Sequence, residues 1–411
     1  MTMSKVFLMT VILLVCVSAL AYGYSRKAKE EAVFKTYVDY FKSVYDIMEN
    51  EYYLPVSKEA FERYIVDFKA KIYEKQVKDK TKVDNNIKHV GTGIMVSKLK
   101  DQTDPFTNFF PPQMVKQFKE SVLGYGGDVG LEGTLRDERF IITQVEPRSD
   151  AFKKGIAIGD EVLKVEGKPA AALSQEEIQK IFSPVVGKEV GVEVFFAKTK
   201  KTAPMILVSA QYFKQSVFPV STGDPKVACL KIKFFNQETG NEIRDAVGRL
   251  NKDNIGKLVL DLRDNGGGPP LAAWDISGVF LAPQQKLFYF QRRQQPPSGL
   301  ITSPSEIRYQ GNVAILVNKG TGSASELFSG IMQAYRRAEL IGQHTAGMVY
   351  LKSIFDLKDG ASLELTVAKG YLFDGNPISA DGLKPDVALP DDANLLASAV
   401  RALEAAAPSS K

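Results

Sequence analysis

The pattern of apolar and polar positions divides the chain into three regions. Over residues 25–120 the stretch FKTYVDYFKSVYDIMENEYY repeats apolar residues at helical spacing, in a background rich in Lys, Glu, Tyr and Phe, and predicts a helical region. From Gly124 to about Tyr212 the period shortens. GGDVGLEGTLRDERFIITQV, GIAIGDEVLKVEGKPA and VGVEVFFAKTKKTAPMILVSA read as short alternating strands with turn residues between them. Helical patterns interrupt them only around Ser149 to Lys154 and Ser174 to Phe182, so residues 121–212 predict a small, partly open barrel. From Ser216 onward strand and helix patterns alternate. KVACLKIKFF, KLVLDLRDNGGGPP and GNVAILVN are strands, while NQETGNEIRDAVGRLNKD and DISGVFL are helices, which predicts an α/β layer structure over residues 213–403. The Pro- and Gln-rich excursion from Ala282 to Ser305 predicts an irregular surface loop, and residues 404–411 a flexible tail.

Composition narrows the function classes. The 411 residues are 44% hydrophobic and 25% charged, the make-up of an ordinary globular chain of two or three domains. The formal charge of +5, from 53 basic and 48 acidic residues, is spread along the sequence. Nucleic acid is therefore not an expected partner, because binding to phosphate wants clustered Lys and Arg. The two cysteines, Cys16 and Cys229, offer no disulfide framework. No metal-ligand cluster and no phosphate loop is present, so no metal or cofactor is implied. Residues 1–24 carry Lys5, an apolar run from Val6 to Ala21 and then Arg26-Lys27, the pattern of an export signal or membrane anchor. The body of the chain is accordingly expected in the periplasm or at a membrane face, and membrane-associated only if that segment is uncleaved.

Five stretches carry a resemblance. GYGGDVGLEG, EPRSDAFKKGIAIGDEVLKVEGKPA, LVLDLRDNGGG, AILVNKGTGSASELFSGIMQAYRRAELIGQHTAG and DGLKPDVALP, in this order, are similar to the C-terminal processing peptidases, PDZ-containing serine proteases with a lysine base. The similarity runs from about Tyr37 to Leu403 and includes DPFTNFF at 104–110. It implies a helical N-terminal region, a PDZ-like barrel and an α/β protease core of the ClpP/crotonase-like type. It also implies protein or peptide substrates with accessible C-termini, and an adaptor or activator as a further partner.

The site residues follow from NKGTGSASELFSG, residues 318–330. A strand that stops at Asn318, turns through Gly320 and Gly322 and starts a helix near Ser325 holds Ser323 at a helix N-terminus, where backbone N–H groups favour anionic character. On the residues alone, Ser323 is either a nucleophile or a helix cap. The resemblance places the nucleophile at Ser323, one oxyanion donor at Ala324, and the second in the glycine pair Gly267 and Gly268. It also implies a lysine in a Thr-x-Gly-Lys context and a glutamine four residues on. Here the chain reads Thr345-Ala346-Gly347-Met348, with Lys352 at the glutamine position. A thioether has no titratable proton and cannot be a base. Three readings stay open: Lys352 as a displaced base, a catalytically silent peptide-binding or scaffold protein of the same fold, or an inactivating change at Met348. His344 and Lys319 are minor alternatives for the base. In the PDZ-like segment, Gly127, Asp128, Val129, Gly130 and Leu131 match the loop that receives a peptide's terminal carboxylate and the strand to which the peptide adds.

Overall fold

The computed structural model describes residues 3–123, 125–183, 186–302, 305–375, 378, 381–390 and 394–405, and side chains are described from Ser18 onward except at 19, 20 and 121–126. Residues 1 and 2 of the expected export signal, most of its side chains, and residues 406–411 of the expected tail therefore lie outside the described residues. Among the described residues no helix is long and apolar enough to cross a membrane. The chain forms two compact units, one of Met1–Lys116, Arg292–Gln295 and Leu351–Lys369, the other of the remaining residues.

The first unit is built on the helix Met3–Glu51, whose residues Tyr37, Phe41, Val44, Tyr45 and Met48 form one buried stripe at the expected spacing. Against it pack the helices Lys58–Phe68 and Asn85–Leu99, capped by Ser57 and by Asp84, whose side-chain oxygens accept from the first-turn amides. The sequence pattern assigned residues 351–369 to the α/β region. They belong instead to this unit, because Leu363, Leu365 and Val367 are fully buried in its aromatic core. Near one end of this core Asp359 accepts from Lys88 Nζ at 2.6 Å, His89 Nε2 at 2.9 Å and Tyr40 Oη at 3.1 Å.

The second unit holds the expected barrel and the α/β core. The barrel's sheet runs in the order Leu131–Arg136, Arg139–Val145, Glu161–Val165, Glu189–Phe196, Lys201–Val208, so Leu131–Arg136 is an edge strand. Its helices, Asp150–Lys153 and Gln175–Phe182, fall where the pattern placed them. The alternating inward residues Leu131, Phe140, Ile142, Val190, Val192, Val194 and Leu207 fill one apolar core with Ile178 and Phe182.

In the α/β core the strand order is Val217–Val220, Val227–Ile232, Lys257–Asp261, Asn312–Val317, Ala338–Gly342, Val387–Ala388. Only the first pair is antiparallel. Lys257–Asp261 and Asn312–Val317 are neighbours whose interior residues are all buried, which explains their unbroken apolar runs. The segment expected as an irregular loop from Ala282 to Ser305 contains two strands, Lys286–Arg292 and Ser298–Ile301, paired antiparallel. Leu287, Phe288 and Phe290 are buried there, and their apolar demand outweighs the Pro and Gln content that read as loop.

Candidate active site

The site lies where the parallel strands Lys257–Asp261 and Asn312–Val317 end, at the carboxyl edge of the sheet, where open α/β sheets bind ligands. Polar side chains stitch the two loops that leave these strands. Asn318 Oδ1 accepts from Asp264 N and Gly320 N, and Asn318 Nδ2 donates to Asp264 Oδ1 at 2.9 Å. Thr321 Oγ1 donates to Leu262 O at 2.8 Å, and Gly322 N to Asn265 O at 3.0 Å. Asn265 is fully buried and donates through Nδ2 to Ile232 O. The result is a fixed bed beneath Ser323.

Ser323 precedes the helix Ala324–Ala334 and has φ 52°, ψ −118°. A serine that only caps a helix sits in the extended region. A non-glycine residue forced to positive φ costs on the order of 1–3 kcal/mol and clusters at reactive centres, as in the strand-to-helix turn that exposes a nucleophilic serine. Ser325 is fully buried and is not accessible for that role.

Gly267 lies directly against this turn. A methyl group there would come within 2.8 Å of Ala324 N and 2.9 Å of Ser323 Cβ, so glycine is required for the close approach as well as for its φ of 102°. Its own amide donates to Asn265 Oδ1 at 2.9 Å, and its carbonyl accepts from Phe235 N. Gly268, with φ 151°, lies against the Phe235 carbonyl. Ala324 N–H, at the first position of the helix, has no intrahelical partner.

Glu326, fully buried, organises the rest. Its Oε2 accepts from Ser323 N at 2.9 Å and from Met348 N at 3.0 Å, so the two amide nitrogens lie less than about 6 Å apart. Its Oε1 accepts from Thr345 Oγ1 at 2.6 Å and Gly347 N at 2.7 Å. One carboxylate thus holds residues 345–348 beside the serine turn, helped by Ala346 N donating to Thr321 O at 2.8 Å. Met348 is 40% exposed at this place.

Lys352 lies in the strand Tyr350–Asp356 and belongs to the first unit. Its Nζ is 3.1 Å from Glu364 Oε1 and lies over the Phe106 ring. His344 is exposed, with Nδ1 3.1 Å from Asp381 O, and Lys319 is exposed. Sequence reasoning missed Glu326, Asn265 and Asn318. Only Glu326 had a readable signal, the Ser-x-x-Glu spacing of a capping box from Ser323.

In the barrel, Gly127 and Asp128 pair with Gln211 and Ala210. Val129 N donates to Phe182 O at 3.1 Å and Gly130 N to Asp128 Oδ1 at 2.6 Å, while Tyr212 Oη also donates to Asp128 Oδ1. Burial, then Asp128, pushes the Tyr212 hydroxyl far above the ordinary phenol range. Two of the loop amides expected to receive a terminal carboxylate are therefore already bonded.

The strained serine thus stands at a strand-to-helix turn at the carboxyl edge of a parallel sheet. Residues 226–389 match the model of Peptidase family S41, and residues 112–194 match the PDZ domain. A protein of Staphylococcus aureus (strain bovine RF122 / ET3-1) named "Probable CtpA-like serine protease" is 28% identical over 324 residues, 77% of this chain and 62% of that protein. A protein of the same name from Staphylococcus haemolyticus (strain JCSC1435) is 28% identical over 298 residues, 71% of this chain and 58% of that protein. The chain thus spans about three fifths of the length of these curated relatives. Among solved structures, a photosystem II D1 C-terminal processing protease shares the fold with a TM-score of 0.52 at 21% identity, over 86% of this chain and 93% of that one. A lipoprotein from Streptococcus agalactiae does so with a TM-score of 0.52 at 12% identity, over 90% and 96%. The chain thus carries a Peptidase family S41 match and a PDZ-domain match, and is similar over most of its length to CtpA-like serine proteases.

Proposed function

We propose that the chain is an exported serine-type endopeptidase that cuts polypeptides near their C-termini and takes the substrate tail on its PDZ domain. The observation that carries the peptidase reading is the backbone of Ser323, strained to φ 52° at the start of the helix Ala324–Ala334, and the reading takes the amides of Ala324 and Gly268 as oxyanion donors. In the reaction Ser323 Oγ bonds to the scissile carbonyl carbon while the carbonyl π pair moves onto oxygen, toward those two N–H groups. Collapse then breaks the C–N bond, and the proton that left the serine passes through a base to the departing amine. Water afterwards cleaves the acyl-enzyme. Export is supported by the apolar run from Val6 to Ala21 followed by Arg26 and Lys27.

Lys352 is the candidate base in this reading. To act as one, its Nζ has to leave Glu364 Oε1, 3.1 Å away. A second reading, a silent peptide-binding protein, is favoured by Met348, whose amide is tied to the same carboxylate as the serine amide. Incubation of the full chain with an unstructured, apolar-tailed protein separates the two. Cleavage by the parent that is abolished in Ser323→Ala supports the peptidase. No cleavage by the parent, together with cleavage by Met348→Lys, sinks that reading and leaves the silent one.

A further inference from the structure

We propose that the peptide-binding edge of the PDZ domain is capped by the domain's own helix, and that a peptide adds to this edge only by displacing Gln175. The proposal rests on the PDZ reading of this groove and is independent of catalysis. Leu131–Arg136 is the outermost strand of its sheet, paired on one side only with Arg139–Val145. An unpaired strand edge offers a row of N–H and C=O groups, and a guest peptide binds by completing that ladder. Here Gln175 Nε2 donates to Gly133 O at 2.7 Å, and Gln175 Oε1 accepts from Leu135 N at 2.7 Å. A primary carboxamide presents the same donor and acceptor as a peptide unit, so this side chain fills one place of a guest strand.

The far end of the same helix closes the other end of the groove. Gln175 is its first residue and Phe182 its last, and the Phe182 carbonyl accepts from Val129 N at 3.1 Å. The helix is thus bonded to the loop before the edge strand and to the strand itself. Beside Val129, Gly130 N is bonded to the Asp128 carboxylate, where a peptide's terminal carboxylate would otherwise bind. The two contacts differ in how easily they yield. Ile178 and Phe182 are buried in the barrel core and fix the helix, whereas Gln175 is exposed and can leave by rotation about its own side-chain bonds. Gln175 is therefore the displaceable part of the cap.

The test uses the full chain carrying Ser323→Ala, so that nothing is cleaved, and a fluorescein-labelled ten-residue peptide with an apolar, free C-terminus. Removing two exposed neutral hydrogen bonds that compete with the peptide should tighten binding by about 3- to 10-fold in Gln175→Ala. Gln175→Glu keeps an acceptor for Leu135 N but loses the donor to Gly133 O, and should fall between parent and alanine. Hydrogen exchange read at Leu135 N should accelerate in free Gln175→Ala and slow again when the peptide is added. Equal or weaker binding by Gln175→Ala, or binding by neither protein, overturns the proposal. If Leu135 exchange still accelerates in that case, what has failed is the peptide reading of the groove, because the cap itself is present.

Discussion

Removing the Glu326 carboxylate should separate the serine turn from the segment that carries Met348. Four donors converge on it: Ser323 N, Thr345 Oγ1, Gly347 N and Met348 N, at 2.6 to 3.0 Å, which fills the four acceptor sites of a carboxylate. Glu326→Ala removes a fully buried acceptor from all four. Thr345 is buried and the three amides are less so; at about 1–3 kcal/mol for a buried unsatisfied donor, with less for the others, the loss should be about 2–4 kcal/mol. Glu326→Gln is the informative control. Its amide nitrogen can turn toward Thr345 Oγ1 and donate to it, so Gly347 N and the Thr345 hydroxyl proton lose their acceptor while one new bond forms, and the loss should be smaller, about 1–3 kcal/mol. In that orientation the remaining oxygen still bridges Ser323 N and Met348 N. Trp274, the single tryptophan, lies in the same unit as Glu326, so its fluorescence in urea reports the unfolding of that unit. Labelling of Ser323 by a fluorophosphonate should survive in Glu326→Gln and fail in Glu326→Ala. A Glu326→Ala protein within about 1 kcal/mol of the parent would refute the clamp.

Three further outcomes follow from the same geometry. Ser323→Gly should relieve the positive φ and stabilise the protein by about 1 kcal/mol while abolishing fluorophosphonate labelling, and a destabilised variant in the same urea titration would count against strain at Ser323. Gly267→Ala should lose labelling and about 1–3 kcal/mol of stability, because its methyl would meet Ala324 N at 2.8 Å; unchanged labelling would contradict the close approach. In the first unit, burial raises the Asp359 carboxyl, but hydrogen bonds from Lys88 and His89 and the Lys88 charge outweigh it and hold it well below the usual carboxylate range. A depressed folded value means that this stabilisation is complete above the unfolded value near ~4 and is lost as pH falls through the folded one. Asp359→Asn should therefore lower stability at pH 7, and its difference from the parent should shrink as the pH drops below about 4. A constant difference in acid would exclude this origin.

Legibility in the sequence followed the range of the interactions. Tyr37 to Met48 and the two barrel helices were readable because their spacing and caps are local, and so were the buried strands ending at Asp261 and Val317. Lys286–Arg292 was misread because Leu287, Phe288 and Phe290 are buried by neighbours distant in sequence, while the Gln and Pro residues around them speak only of local structure. The assignment of Leu351–Lys369 to the first unit was hidden for the same reason, since Leu363 and Leu365 pack on residues more than 250 positions earlier. At the site, Ser323 and the glycines stood out as a motif. Glu326 was readable only as the Ser-x-x-Glu spacing from Ser323, because its other three bonds reach Thr345, Gly347 and Met348, which become its neighbours only after folding. The engagement of the PDZ loop amides was invisible as well, since Val129 N finds Phe182 O across more than fifty residues.

Position 348 is held by its main chain, and that has a consequence for how such a chain can change over generations. The bond to Glu326 comes from the Met348 amide, which every residue except proline supplies, while its side chain is 40% exposed. Selection on folding is therefore nearly blind to what this side chain is. The codons for methionine and lysine differ by one nucleotide. A lineage can cross between a thioether and an amine here in a single mutational step without passing through a damaged protein, so reactivity at this site can drift independently of the architecture that surrounds it.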